Sequence, residues 1–264
     1  MALPGGYDQR ADAVRLCTAS AGLVLIALNT ATFSQERALV RISVRHQPRP
    51  VAAAVLQTEQ HFGYVVTYED VTYMHPDDIV DVTEQVRRDS RLDKRVLVMR
   101  SGTIELDVTP HPGRTDAQVG EVLNEIIARS RAAGNTGDYR AERVDGGYHV
   151  VPIAARGKSG AMEAYQSLLA TPISMPARDE SALEMISRLV ETIAAASGRK
   201  LGPGMIPVNR FHQTRVRVEA RNERARDVLW RALQSIDRQL SWQLLCGVGE
   251  DGCALNIHPV AVRR

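Results

Sequence analysis

Lysine is nearly missing from this chain: it stands only at positions 94, 158 and 200, so arginine supplies almost all the positive charge. A surplus of either charge is missing too. Lys and Arg number 33 against 31 Asp and Glu, a net charge of +2 over 264 residues. That balance excludes a general binder of nucleic acid or anionic membrane, which needs a field of one sign. Cysteine is scarce, with Cys17, Cys246 and Cys253 alone. The seven histidines do not cluster: no second His follows His75 at helical or hairpin spacing, so no metal-ligand set is advertised. The apolar run at residues 16–28 (LCTASAGLVLIAL) has thirteen residues, where a bilayer span needs about 20. What remains is 44% hydrophobic and 24% charged, an ordinary globular composition with room for one or two domains.

The short apolar run suits the core of a secretory signal. Arg10 and Arg15 precede it, although Asp8 and Asp12 cancel their charge, and Thr32 and Ser34 are small enough for the −3 and −1 positions of a cleavage site. Residues 1–34 are therefore expected to be a signal peptide, with a mature chain starting at Gln35; a retained anchor is the alternative. No lipobox precedes Cys17. Removing residues 1–34 takes two Arg, two Asp and Cys17, leaving Cys246 and Cys253 as an even pair for an oxidising compartment.

The stretch from Arg215 to Pro259 organises the rest. Val216 and Val218 alternate with charges as in a half-buried strand. Ala225, Val228, Leu229, Ala232, Leu233 and Ile236 form one apolar helical stripe, with Arg224, Arg226, Asp227, Arg231 and Gln234 expected to face out. Two further strands, at 242–246 and 253–257, flank a Gly-rich loop. With Cys246 opposite Cys253, Leu244 meets Leu255 and Trp242 meets Ile257, all on one face, so register and a Cys246–Cys253 disulfide support each other. A looser copy lies upstream: a strand at 103–108, a helix carrying Val119, Val122, Leu123, Ile126 and Ile127, and a hairpin turning at Asp145-Gly146-Gly147.

Ahead of each copy stands a strand–helix pair. Ile42 and Val44 begin the first, and a helix follows from Val51 to Phe62 between Pro50 and Gly63, with Glu59 and His61 on its exposed side. Residues 171–175 begin the second, with a helix through Leu183, Ile186, Val190 and Ile193 that ends at Ser197-Gly198. Between the halves, residues 154–170 read as a linker, flexible at 156–160 and helical at 161–169.

The two halves resemble the short N-terminal (STN) domain of secretins and TonB-dependent receptors. That family reads strand, Pro-rich helix start, Ala/Leu-rich helix ending in Gly, strand, then strand, helix and hairpin. The first match runs over residues 42–70 and 103–153, the second over 173–204 and 215–259. A charged insertion at about 77–100 departs from the pattern, and no channel or barrel follows. The resemblance implies two tandem α+β modules, residues 35–153 and 171–264, each a small sheet with two helices packed on it. It also implies a cell-envelope protein of the interaction kind.

Candidate chemistry is sparse. Gly157-Lys-Ser159 ends like a phosphate-binding loop, but Pro152 falls where the first Gly is required and offers no N–H. Ser159 lacks the last Gly of a nucleophile elbow. His75, Asp77 and Asp78 offer one imidazole and two carboxylates, read more simply as a turn in which Asp77 or Asp78 caps a segment from Ile79. The Arg-rich stretch at 87–95 has interleaved acids and no aromatics, as in a solvated loop. The expected function is therefore non-catalytic: protein–protein contact in the periplasm or at the cell surface, with other envelope proteins or further copies as partners, and with no cofactor, metal or nucleic acid. The alternatives are an envelope hydrolase using Ser159 or His75, Asp77 and Asp78, and a polymer binder using Tyr64, Tyr68 and Tyr73 as exposed aromatics.

Overall fold

The computed structural model describes residues 39–86, 95–111, 115–249 and 252–261. The expected signal peptide, its Thr32 and Ser34, and residues 87–94 of the Arg-rich stretch lie outside the described residues. The fold is α+β. In the first repeat β1 (Val40–Gln47), α1 (Pro50–Phe62) and β2 (Val65–Glu69) precede β5 (Gly102–Val108), α3 (Thr115–Ala132), β6 (Asp138–Val144) and β7 (Gly147–Arg156). Between β2 and β5 the described part of the insertion forms a 3-10 turn (Pro76–Asp78), a ribbon of β3 (Ile79–Asp81) with β4 (Leu97–Met99), and the one-turn helix α2 (Thr83–Val86). After β8 (Met162–Ala164), the second repeat follows: β9 (Pro172–Ser181), α4 (Ala182–Ser197), β10 (Leu201–Pro203), α5 (Val208–Gln213), β11 (Arg215–Arg224), α6 (Ala225–Ile236), β12 (Leu240–Cys246) and β13 (Cys253–Pro259).

Helix ends sit where the sequence puts them. Pro50 pre-sets the first turn of α1, and Gly63 closes it at φ 61° with its N–H on Glu59 O. Helix α4 starts in a reciprocal capping box, Ser181 with Glu184, and stops at Gly198 with φ 67°. The hairpin register also matches expectation: Cys246 opposite Cys253, Leu244 opposite Leu255 and Trp242 opposite Ile257. The two cysteines are disulfide-bonded, with their Cα atoms 4.0 Å apart.

In each repeat the two long helices lie between a two-stranded ribbon and three strands of a larger sheet. Strands β1 and β5 make the first ribbon, with Ile42 beside Leu106 and Val44 beside Ile104; β9 and β11 make the second. Each repeat keeps its own core. Ile42, Val55, Leu123, Ile126 and Val150 belong to one, and Met185, Leu189, Leu229, Trp242 and Leu255 to the other.

Three expectations are corrected. The repeats do not have separate sheets, because their strands run through one sheet in the order β10-β13-β12-β2-β7-β6, with β8 added on β7. The uncovered edge of β12 pairs with the uncovered edge of β2, which satisfies backbone groups that either would otherwise leave to water. The linker is not helical at 161–169. Gly160, at φ 87°, lets the chain turn back so that β8 pairs with the end of β7, and Leu168 and Leu169 are buried in a 3-10 turn. Finally, the turn at 76–78 forms as expected, but the segment from Ile79 is a strand, and the side chain that accepts from Asp77 N is that of His75.

Candidate functional site

Among the described residues, the seam between the repeats gathers most of the buried charged side chains, Glu59, Glu69, Asp70 and Arg226, with Asp78 lying elsewhere. Strands β12 and β2 run parallel there, Gln243 beside Tyr68 and Leu244 beside Glu69, and Asp70 N donates to Leu244 O at 2.9 Å. The pairing resumes beyond the strand ends, where Tyr73 bridges Val248 and Gly249 N donates to Tyr73 O. The helices of the two repeats flank this seam from opposite faces. On β2, Val66 and Tyr68 point into the first core, while Thr67 and Glu69 point the other way, under α6.

Asp70 is fully buried. Its Oδ2 accepts from Arg49 Nε at 2.8 Å and from Cys246 N at 3.2 Å; its Oδ1 accepts from the hydroxyls of Tyr68 and Tyr73 and from Val71 N. Burial pushes the Asp70 carboxyl up, and Arg49 beside it works against that rise. The same burial holds the Tyr68, Tyr73 and Tyr139 hydroxyls well above the usual tyrosine range, so they remain donors. Arg49 Nη2 also reaches Cys246 O at 2.5 Å, so one guanidinium fastens α1 to the disulfide hairpin.

Glu69, also fully buried, takes a two-pronged ion pair from Arg226 in the first turn of α6, with Nη2 to Oε2 at 2.7 Å. Burial opposes the charge of Arg226, and Glu69 more than offsets it, so its pKa is raised overall. Beside this pair His149 packs edge-on to Trp230 at 5.1 Å and lies 5.2 Å from Trp242, with Thr67 Oγ1 2.7 Å from its Nδ1. Burial, reinforced by Arg226 and Arg224, pushes its pKa down to about 3. On the other face Glu59 meets His258 at 2.8 Å, Gln243 donates to Ala52 O, and Ser241 donates to Val66 O.

Several residues singled out from sequence lie elsewhere than expected. Arg226 and Glu59 are buried rather than outward, because each has a side-chain partner on the other repeat, Glu69 for Arg226 and His258 for Glu59. Tyr68 and Tyr73 are buried at Asp70 and present no aromatic surface; Tyr64 is half-buried and donates to Asp116. Ser159 sits in an exposed turn with Glu163 Oε1 3.4 Å away. Asp77 is exposed, whereas Asp78 is buried 3.3 Å from Arg156, so the trio at 75–78 does not converge. His61 has a partner. Arg95, the described end of the Arg-rich stretch, pairs with Asp81, which is held down to about 2 chiefly by hydrogen bonds from Thr83. Among the described residues no group of three His, Cys, Asp or Glu gathers as a metal would need, and no helix is long and apolar enough to cross a membrane.

The sheet has two outer edges. Strand β6 presents exposed Arg140 and Arg143, paired with Glu142 and Asp116. Strand β10 is three residues long and ends in Pro203, followed by the exposed Met205 and Val208. No family model, curated protein or solved structure matches this chain.

Proposed function

We propose that this chain is a non-catalytic interaction protein of the cell envelope, exported to the periplasm or cell surface, that binds other proteins by adding strand to strand. One observation carries the reading: the chain joins its own halves this way. Strands β6 and β12 hold the same place in their repeats, each antiparallel to its neighbour; β2 and β10 likewise correspond, each parallel to its neighbour. The seam matches an edge of the first kind with one of the second, and the outer edges, β6 and β10, are again one of each kind. The order strand–helix–strand, strand–helix–strand–strand occurs twice, which supports the resemblance to the short N-terminal domain of secretins and TonB-dependent receptors. A disulfide on the core side of the last hairpin supports an oxidising compartment.

Photo-crosslinkers at Arg140 on β6 and at Gly202 on β10, in cells expressing the full chain, test the edges. Adducts are expected from these two positions and not from the exposed Glu191 on helix α4; equal adducts at Glu191, or none at either edge, would refute strand addition. Export is tested by terminal sequencing of protein recovered from the envelope. A start close to Gln35 is expected, and an intact N-terminus inserted in membrane would mean an anchor.

A further inference from the structure

Beside the disulfide hairpin lies a cleft of about 520 Å³ lined by Thr72 and Met74 of the first repeat, Tyr165, and Gly198, Arg199, Lys200, Gly249, Gly252 and Cys253 of the second. Among the described residues most arginines lie against a carboxylate, as Arg49, Arg188 and Arg226 do. Arg199 instead meets two hydroxyls. Its Nη2 donates to Thr72 Oγ1 at 2.5 Å and to Tyr165 Oη at 3.1 Å, its guanidinium carbon lies 5.8 Å from the centre of the Tyr165 ring, and no carboxylate pairs with it among the described residues. The two hydroxyls lie 3.0 Å apart and share one further bond.

The hydrogens can be counted. Two on Nη2 are engaged, which leaves three N–H on the guanidinium. Two hydroxyl hydrogens serve one bond between the oxygens, which leaves one O–H. Lys200, exposed on the rim, adds an ammonium. The described lining is thus rich in donors, with Arg199 and Lys200 as cations and Met74 and Cys253 as apolar members. Its volume lies in the range of small-ligand sites.

We infer that this cleft binds an oxyanion, a carboxylate or phosphate group on a small molecule, with Arg199, Thr72 and Tyr165 as its donors and Lys200 at its rim. The inference stands apart from the strand-addition reading. Inorganic phosphate and citrate, titrated separately into the full-length isotope-labelled protein, are followed at the amides of Gly198, Lys200 and Gly252. Saturable shifts confined to the cleft are expected, weakened at least tenfold in Arg199→Gln while the melting temperature stays within a few degrees. Thr72→Val should weaken binding less. Saturation by citrate alone assigns carboxylates, and by phosphate alone phosphoryl compounds; both support the site. Glu250 and Asp251 stand between Gly249 and Gly252 in the sequence, so a Glu250→Gln/Asp251→Asn variant is the control. The proposal fails if binding appears only in that variant, if the shifts do not saturate, or if Arg199→Gln binds as the natural chain does.

Discussion

His149 lies between two indoles and two arginines, and its loss of basicity makes stability depend on pH. Its pKa is about 3 when folded and near 6.5 when unfolded, so between those values the unfolded chain binds more protons. The contribution is whole above pH 6.5 and is lost as pH falls towards 3, by about 1.4 kcal/mol per pH unit. Asp70, raised by burial, acts with the opposite sign above its ordinary range, so a difference measurement is required. Urea unfolding of the natural chain and His149→Gln from pH 7.5 to 4.5 should show the natural chain losing stability more steeply; parallel profiles would mean that the imidazole is solvated. The disulfide is the other residue-scale test. Closing a loop of that length contributes ~2.5 kcal/mol by chain-entropy reckoning, so Cys246→Ser/Cys253→Ser should melt roughly 5–10 °C lower. Two free thiols in the mass of the non-reduced protein would remove the bond. This pair was legible in the sequence because the apolar register and the cysteine chemistry point to the same pairing over a few residues. Glu69 with Arg226, Glu59 with His258 and Asp70 with the Cys246 N–H were not, because the groups that meet these buried carboxylates lie 157, 199 and 176 positions away. A charge on a helix face reads as solvated until its partner is known.

At the scale of elements, the helices could be read because their stripes and stops are local. Residues 161–169 misled because Ala, Met, Glu and Leu are good helix formers. The glycine turn before them and pairing with β7 decided the outcome instead, a case of tertiary contact overriding propensity. The docking of α6 across the seam uses the ion pairs of Arg226 with Glu69 and, at 3.8 Å, with Glu142, and the ring contact of Trp230 with His149. Arg226→Met leaves Glu69 buried without its cation and should destabilise the fold by about 3–5 kcal/mol. Glu69→Leu/Arg226→Met should recover much of that loss, since both charges then leave the interior together. If the double variant is as weak as the single one, the pair is not what holds α6. At Gly147 an added Cβ would meet Trp230 at 2.8 Å and the Val65 carbonyl oxygen at 2.7 Å, so this glycine permits the close approach of α6 to the sheet.

For the whole molecule, the repeat was visible in the sequence and the fusion of its sheets was not. A strand edge leaves no mark that tells an exposed edge from a joined one, and Gln243, which pairs across the seam, looks like any surface residue. The fusion predicts one cooperative calorimetric transition for the described residues although there are two cores; two separated transitions would show the seam to be weak. A protease site engineered at Lys158-Ser159, in the exposed turn, should yield two pieces that elute together, held by the seam and by the short pairing of β8 with β7. The seam also has a temporal side. Ser241 and the Val66 carbonyl it bonds are 175 positions apart. At the 5–20 residues per second of protein synthesis, strand β2 waits roughly 10–35 s for the strand that covers its edge. For that interval the nascent chain carries an open strand edge in need of guarding, and an early meeting with another chain's β12 at that edge would exchange halves between molecules.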